Sequence, residues 1–439
     1  MNETHDPTLE SWVESANAPD ADFPVQNLPF GVFARHGQSE APRVGIAIGD
    51  RILDVFAALE ANVLGREAED AGHACAEHSM NALMALGREH WSALRRAASR
   101  LLRRGGTPDG DRRLADRLLV PMVEARMLLP ADVGDYTDFY ASVHHATNVG
   151  SMFRPDAPLL PNYKHVPIGY HGRASSLVVG GTPVRRPLGQ TVAGAATEPT
   201  FGPSRQLDYE CEVGAFVGPG NPLGEPIAIG DAESRVFGLC LVNDWSARDI
   251  QRWEYQPLGP FLAKSFATTV SPWVVTLEAL EPFRVAPPAR AADDPRPLPY
   301  LRDEADARRG GVDIVLEVSL RTARMRESGL GFARVSRARF ATMYWTLAQM
   351  LAHHASNGCN LRPGDLLASG TVSGPERDAR GCLLELAWRG TEPVELPGGE
   401  TRSFLEDGDE VVITGHCARE GARRIGFGRC EGIVLPAAP

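Results

Sequence analysis

From about residue 130 onward the sequence is a succession of short apolar runs broken by glycine and proline, and this spacing limits the fold more than any other feature. The runs are "SSLVVGGTPVRR", "YECEVGAFVGPGNPLG", "RVFGLCLVND", "SPWVVTLEAL", "VDIVLEVSLRT", "GCLLELAWRG" and "DEVVITGH". Strands recurring this way, with few helices between them, favour a mainly β barrel or roll over a doubly wound α/β sheet. Two segments, "SARDIQRWEY" and "RFATMYWTLAQMLAHHASNG", read as helices. The Pro/Ala/Asp-rich stretch 286–310 reads as an exposed excursion.

The first 130 residues differ in character. Residues 1–20 read as a frayed tail, and "FPVQNLPFGVFAR" through "PRVGIAIGDRILDV" as a small β unit. Residues 55–128 carry apolar side chains at helical spacing, as in "NALMALGREHWSALRRAASRLLRR". "RLLVPMVEARMLLP" then reads as a connector carrying apolar strands into the next unit. A boundary near residue 130 follows, giving domains 1–130 and 131–439; a length of 439 residues suits two domains or three.

Composition narrows the class. A net charge of −11 is wrong for binding nucleic acid, which needs concentrated positive charge. No run approaches the roughly 18–20 apolar residues of a membrane span. The seven cysteines are scattered without a C-x-x-C pair, which argues against a zinc site or disulfide scaffold and fits a reducing compartment. The acidic N-terminus, "MNETHDPTLESWVESANAPDADF", has no targeting character, so a cytoplasmic protein is expected.

Candidate chemistry begins in "DYECEVGAFVG". Alternation in a strand puts Glu210 and Glu212 on one face, an unfavourable pair without a cation unless the strand faces solvent. Asp244 closes the buried run "RVFGLCLVND", 32 residues past Glu212, within reach of a neighbouring strand; a helix N-cap is the competing role. In the helix that follows, Arg248, Gln251 and Tyr255 share a face suited to carboxylates or enolates, although it reads equally as a polar outer face. With one aspartate from "DYTDFYASVHHATNVG" the acids number four, and such all-oxygen ligation selects a hard divalent cation, Ca²⁺ or Mg²⁺. Arg248 and Lys264 would offset their charge. Glu385 replaces an apolar residue in what reads as a strand, "CLLELAWRG". Either it orients a histidine as a general base or it faces solvent on an edge strand.

Taken together, "DYTDFYASVHHATNVG", "GYHGRASS", "DYECEV", "NDWSARDIQRWEY", "GPFLAKSF", "HHASNGCNLRPGDLLASGT" and "DGDEVVITGH" resemble the fumarylacetoacetate hydrolase family, over nearly the whole chain from Phe23. The resemblance implies an SH3-like N-terminal barrel, a C-terminal β-roll catalytic domain and a homodimer. It implies metal ligands at Asp138, Glu210, Glu212 and Asp244, with Lys264 and Thr268 beside a further magnesium. It assigns the base to His145, oriented by Glu385, and charge stabilisation to Arg248, Gln251 and Lys264. Substrate contacts fall on Tyr140, Arg154, Tyr170, Gln251, Tyr255 and Thr371. Two departures stand near this site: Ala263 where glycine is expected, and His144. The implied activity is hydrolysis of the carbon–carbon bond of a small diketo acid, 4-fumarylacetoacetate, giving fumarate and acetoacetate at the end of tyrosine and phenylalanine breakdown. Relatives acting as acylpyruvate or fumarylpyruvate hydrolases or oxaloacetate decarboxylases share the metal site and are the alternatives; a catalytically inert, metal-stabilised binding module is the alternative of another class.

Overall fold

The computed structural model describes residues 1–37, 40–194 and 196–439. It is mainly β. The first sheet is a five-stranded antiparallel meander that occupies the place of the expected SH3-like unit, in the order Leu119–Pro121, Arg51–Asp54, Arg43–Ile48, Phe30–Arg35, Ala125–Met127. Its two outer strands come from "RLLVPMVEARMLLP", so this segment turns back onto the first sheet and does not lead into the next unit. Between strands Arg51–Asp54 and Leu119–Pro121 the chain forms five α-helices, of which Arg88–Leu102 is the longest.

The second part of the chain builds two larger sheets. One is mixed and eight-stranded, and strand Cys211–Val217 at its middle pairs antiparallel with Val236–Asp244 on one side and Leu366–Ala368 on the other. The other is five-stranded, centred on Val315–Arg321, Glu410–Cys417 and Ile425–Leu435. Alternation along the central strands explains why they read as continuous apolar runs. Val213, Ala215, Leu239 and Leu241 pack with Leu316, Ile413 and Phe427 of the second large sheet. Phe216, Phe237 and Val242 pack on the opposite face with Phe30, Ile46 and Leu94 of the N-terminal part. Both faces are covered, so neither needs polar residues.

Three expectations about local structure change. Residues 1–20 are not a frayed tail: Ser11 Oγ donates to Leu102 O at 2.6 Å and Trp12 Nε1 to Leu101 O at 2.8 Å. Arg95, 1% exposed, donates to Thr4 Oγ1 and to the carbonyls of Gln26 and Asn27. Such a buried guanidinium is tolerable only because its donors are met. The stretch 286–310 is anchored as well as exposed, since Leu301 is buried and the buried Asp306, in helix Glu304–Arg309, accepts from Thr346 Oγ1 at 3.0 Å. The segment "RFATMYWTLAQMLAHHASNG" is α-helical only over Leu347–His354, after a 3-10 turn at Phe340–Thr342, because Thr346 and Gln349 form a capping box that starts the α-helix there.

Candidate active site

Strand register assembles the acids. Asp138 lies in Tyr136–Phe139, which runs parallel to Leu366–Ala368 with Asp138 opposite Ala368. That strand flanks Cys211–Val217, which carries Glu212, with Glu210 just before it. On the other side Asp244 ends its strand opposite Thr268. Asp138, Glu210, Glu212 and Asp244 thus meet across four strands, each offering one oxygen, and these oxygens lie within 4.8 Å of one another. All four side chains are buried. Glu210 and Glu212 do point the same way, as alternation requires.

Two cations answer part of this charge. Lys264 Nζ donates to Glu210 Oε2 at 2.7 Å and to Asp244 Oδ2 at 2.5 Å. Arg248 Nη1 lies 2.6 Å from Glu210 Oε1. Burial opposes ionisation of Glu210, but Lys264 and Arg248 overcome it and hold its carboxyl well below the usual range. Asp138 and Glu212 have less help: burial and the neighbouring carboxylates push both well above the usual range. Glu212 Oε1 is buried with no hydrogen-bond partner. Acids driven neutral by crowding, one with an orphaned oxygen, fit a set completed by a hard divalent cation.

Tyr170, expected at the substrate, donates into the acid cluster, its hydroxyl lying 2.8 Å from Asp138 Oδ2 and 2.9 Å from Asp244 Oδ2. Thr268 Oγ1 donates to Asp244 Oδ1 at 2.9 Å. A cleft of about 210 Å³, lined by Tyr136, Tyr170, Phe261, Lys264 and Thr268, opens onto Asp244. Ala263 is fully buried against Ala247 and Ile250, so its methyl group is accommodated where glycine was expected.

His145 lies seven residues after Asp138 in the chain. Ser142 caps helix Val143–Phe153, its Oγ accepting from His145 N. Asp138 and His145 therefore do not share a helical face, because a strand ends between them. Glu385 lies in a short helix, Leu383–Leu386, and not in a strand. His145 Nδ1 lies 2.6 Å from Glu385 Oε2. A carboxylate only accepts, so the hydrogen sits on Nδ1 and the Nε2 lone pair is left as the proton acceptor. Asn148 Nδ2 at 2.8 Å, Ser373 Oγ at 2.8 Å and Cys382 Sγ at 3.2 Å also donate to Glu385. Burial would raise this carboxyl, but His145 and these donors lower it to about 2.

A pH dependence follows. A folded pKa of about 2, against 4.5 when unperturbed, gives stability that is present above pH 4.5 and lost as pH falls toward 2. The contribution is on the order of 3 kcal/mol. Between pH 5 and pH 3 the thermal midpoint of the protein is expected to fall more steeply than that of Glu385→Gln; parallel slopes would contradict this.

The other expected contacts divide. Tyr140 is half-buried and edge-on to the His145 ring at 5.2 Å between centroids, and Thr371 Oγ1 is buried without a partner near the same turn. Gln251 Oε1 accepts from Arg248 Nη1 at 3.2 Å. Tyr255, 40% exposed, caps the helix Arg248–Glu254 at the rim. Arg154 is exposed and donates to Pro158 O, apart from the acids. His144 is half-buried and makes no contact with Glu385 like that of His145. Asp208 escaped notice although "LDYECEV" places it two residues before Glu210 on the same alternating face; it binds Arg248 Nε at 2.9 Å.

A β frame that gathers four carboxylates beside a buried histidine–glutamate pair defines a class, hydrolytic enzymes with a carboxylate metal centre. Residues 26–130 match the family model "Fumarylacetoacetase N-terminal" and residues 135–434 match "Fumarylacetoacetate (FAA) hydrolase C-terminal". The chain therefore belongs to the fumarylacetoacetate hydrolase family. It is 51% identical to the fumarylacetoacetase of Bos taurus over 422 residues, 96% of this chain and 98% of that one. It is also 51% identical to that of Homo sapiens over 425 residues, again 96% and 98%. In fold it is similar to a fumarylacetoacetate hydrolase from Exiguobacterium antarcticum, with a TM-score of 0.51 at 17% identity over 93% of this chain and 99% of the other.

Proposed function

We propose that this chain hydrolyses 4-fumarylacetoacetate to fumarate and acetoacetate, the last step of tyrosine breakdown. The observation that carries the reading is the buried His145–Glu385 pair beside the cluster of Asp138, Glu210, Glu212 and Asp244. A divalent cation held by those four acids, Ca²⁺ or Mg²⁺, would supply Lewis acidity to the enolised diketone.

The chain's own residues do the rest. His145 Nε2 takes a proton from water, and the hydroxide adds to the carbonyl next to the fumaroyl double bond. Glu385 holds the imidazole in the right tautomer and stabilises its cation. The bond to the neighbouring methylene then breaks, and its electron pair leaves as the enolate of the remaining ketone. Arg248, Gln251 and Lys264 meet the developing negative charge. The proton held on His145 returns to the enolate carbon, so water is consumed and nothing else is needed. Tyr140, Tyr170, Tyr255 and Thr371 line the approach, with Arg154 at the rim to receive a terminal carboxylate.

The reading divides the chain near residue 130, where the two family matches meet. It includes a cytoplasmic location, supported by six cysteines buried as free thiols. It also includes a homodimer, supported by the exposed apolar side chains of Leu258, Phe261 and Leu262 beside the cleft. Assaying the purified protein against fumarylacetoacetate and a short acylpyruvate side by side tests the substrate. Faster turnover of fumarylacetoacetate is expected, abolished by chelator and restored by the cation; preference for the acylpyruvate would contradict the reading.

A further inference from the structure

The chemistry above leaves one fully buried carboxylate at the site without a task. Asp208 has no solvent exposure and is not among the four clustered acids, yet it is surrounded by donors. Oδ2 accepts from Arg248 Nε at 2.9 Å, lies 2.9 Å from Arg248 Nη2, and accepts from Leu384 N at 3.0 Å. Oδ1 accepts from Leu383 N and from Tyr209 N, each at 2.8 Å.

These contacts reach both halves of the machinery. Holding the guanidinium through Nε, with Nη2 alongside, leaves Nη1 aimed at Glu210 Oε1, 2.6 Å away. Gripping the amides of Leu383 and Leu384 starts the turn whose next residue, Glu385, binds His145. This capture also explains why "CLLELAWRG" bends into a helix where its apolar pattern suggests a strand. We propose that Asp208 is a positioning residue that sets the charge-stabilising Arg248 and the His145–Glu385 base from a single anchor. It touches neither substrate nor metal ligand oxygen and acts only through the groups it holds. The proposal rests on the roles assigned above to His145 and Arg248.

The test is Asp208→Asn in the full-length protein with its cation present. Asparagine keeps the volume but offers one acceptor oxygen, and its amide group faces donors, so neither arm can be held as before. With activity normalised to the folded fraction from near-UV circular dichroism, kcat is expected to fall about 10- to 100-fold, as for other residues that orient a ligand or base. KM is expected to change little, because the loss falls on the transition state. In protein labelled with ¹⁵N-histidine, the downfield imidazole N–H resonance of His145, identified by its absence from His145→Ala, is expected to move upfield as the contact to Glu385 loosens. Unchanged kcat would overturn the proposal, as would a loss that vanishes on normalisation. A kcat loss with the resonance unmoved would overturn it too, since one arm alone would then carry the effect. Full activity in His145→Ala would instead remove the assigned base, and so separates failure of that role from failure of this one.

Discussion

Replacing His145 with alanine is expected to lower kcat by about 10²- to 10⁴-fold, the usual contribution of a positioned general base. The buried pair has little other use. A histidine 3% exposed, bound at 2.6 Å to a carboxylate with no exposure, would be a costly way to fill a core. The carboxylate is ionised down to about pH 2 because His145, Asn148 and Cys382 stabilise its charge, and Ser373 donates to it as well. His145 is not one of the four clustered acids, so cation binding is expected to survive the change. Following the loss of diketone absorbance at saturating substrate measures the effect; near-wild-type turnover with the cation bound would remove His145 from the mechanism.

The second large effect is expected at Lys264. Its ammonium is buried and sits between Glu210 and Asp244, which hold its pKa above the ordinary value although burial alone would lower it. Lys264→Met leaves two buried carboxylates with one fewer counter-charge, a loss of about 3–5 kcal/mol for breaking a buried pair from one side. Because the acids together suit a divalent cation, saturating Mg²⁺ or Ca²⁺ is expected to return part of that stability, about 2.7 kcal/mol at one hundred times the dissociation constant. Thermal midpoints of wild type and variant, with chelator and with added cation, measure both effects. A variant that melts like wild type in chelator, or that ignores the cation, would contradict the charge balance described here.

Much of the site was legible because strand alternation is a strict rule. Glu210 and Glu212 had to share a face, and Asp244 at the end of a buried run had to lie near them if the two strands paired, as they do. Glu385 was legible as an anomaly but not as a helical residue, since the helix is short and begins only because Asp208, 175 residues earlier, captures its first amides. No local pattern carries that information. The choice between His144 and His145 came from the family resemblance; structurally it follows from the Ser142 cap, which fixes the phase of the helix and points position 145 inward. The tail at residues 1–20 read as polar and loose because its few apolar anchors, Leu9, Trp12, Val13 and Ala16, are spread among polar residues, and the rest of its anchoring is by backbone carbonyls and one buried arginine.

The central claim is that His145 directs water onto the carbonyl beside the fumaroyl double bond while the remaining ketone leaves as its enolate. Turnover of fumarylacetoacetate in H₂¹⁸O, with the products resolved by mass spectrometry, tests it most directly. The account predicts one ¹⁸O in the new carboxylate of fumarate and none in the carboxylate of acetoacetate. Labelled malonate, formed if hydroxide adds to the other ketone, or release of carbon dioxide in place of the two acids, would contradict it.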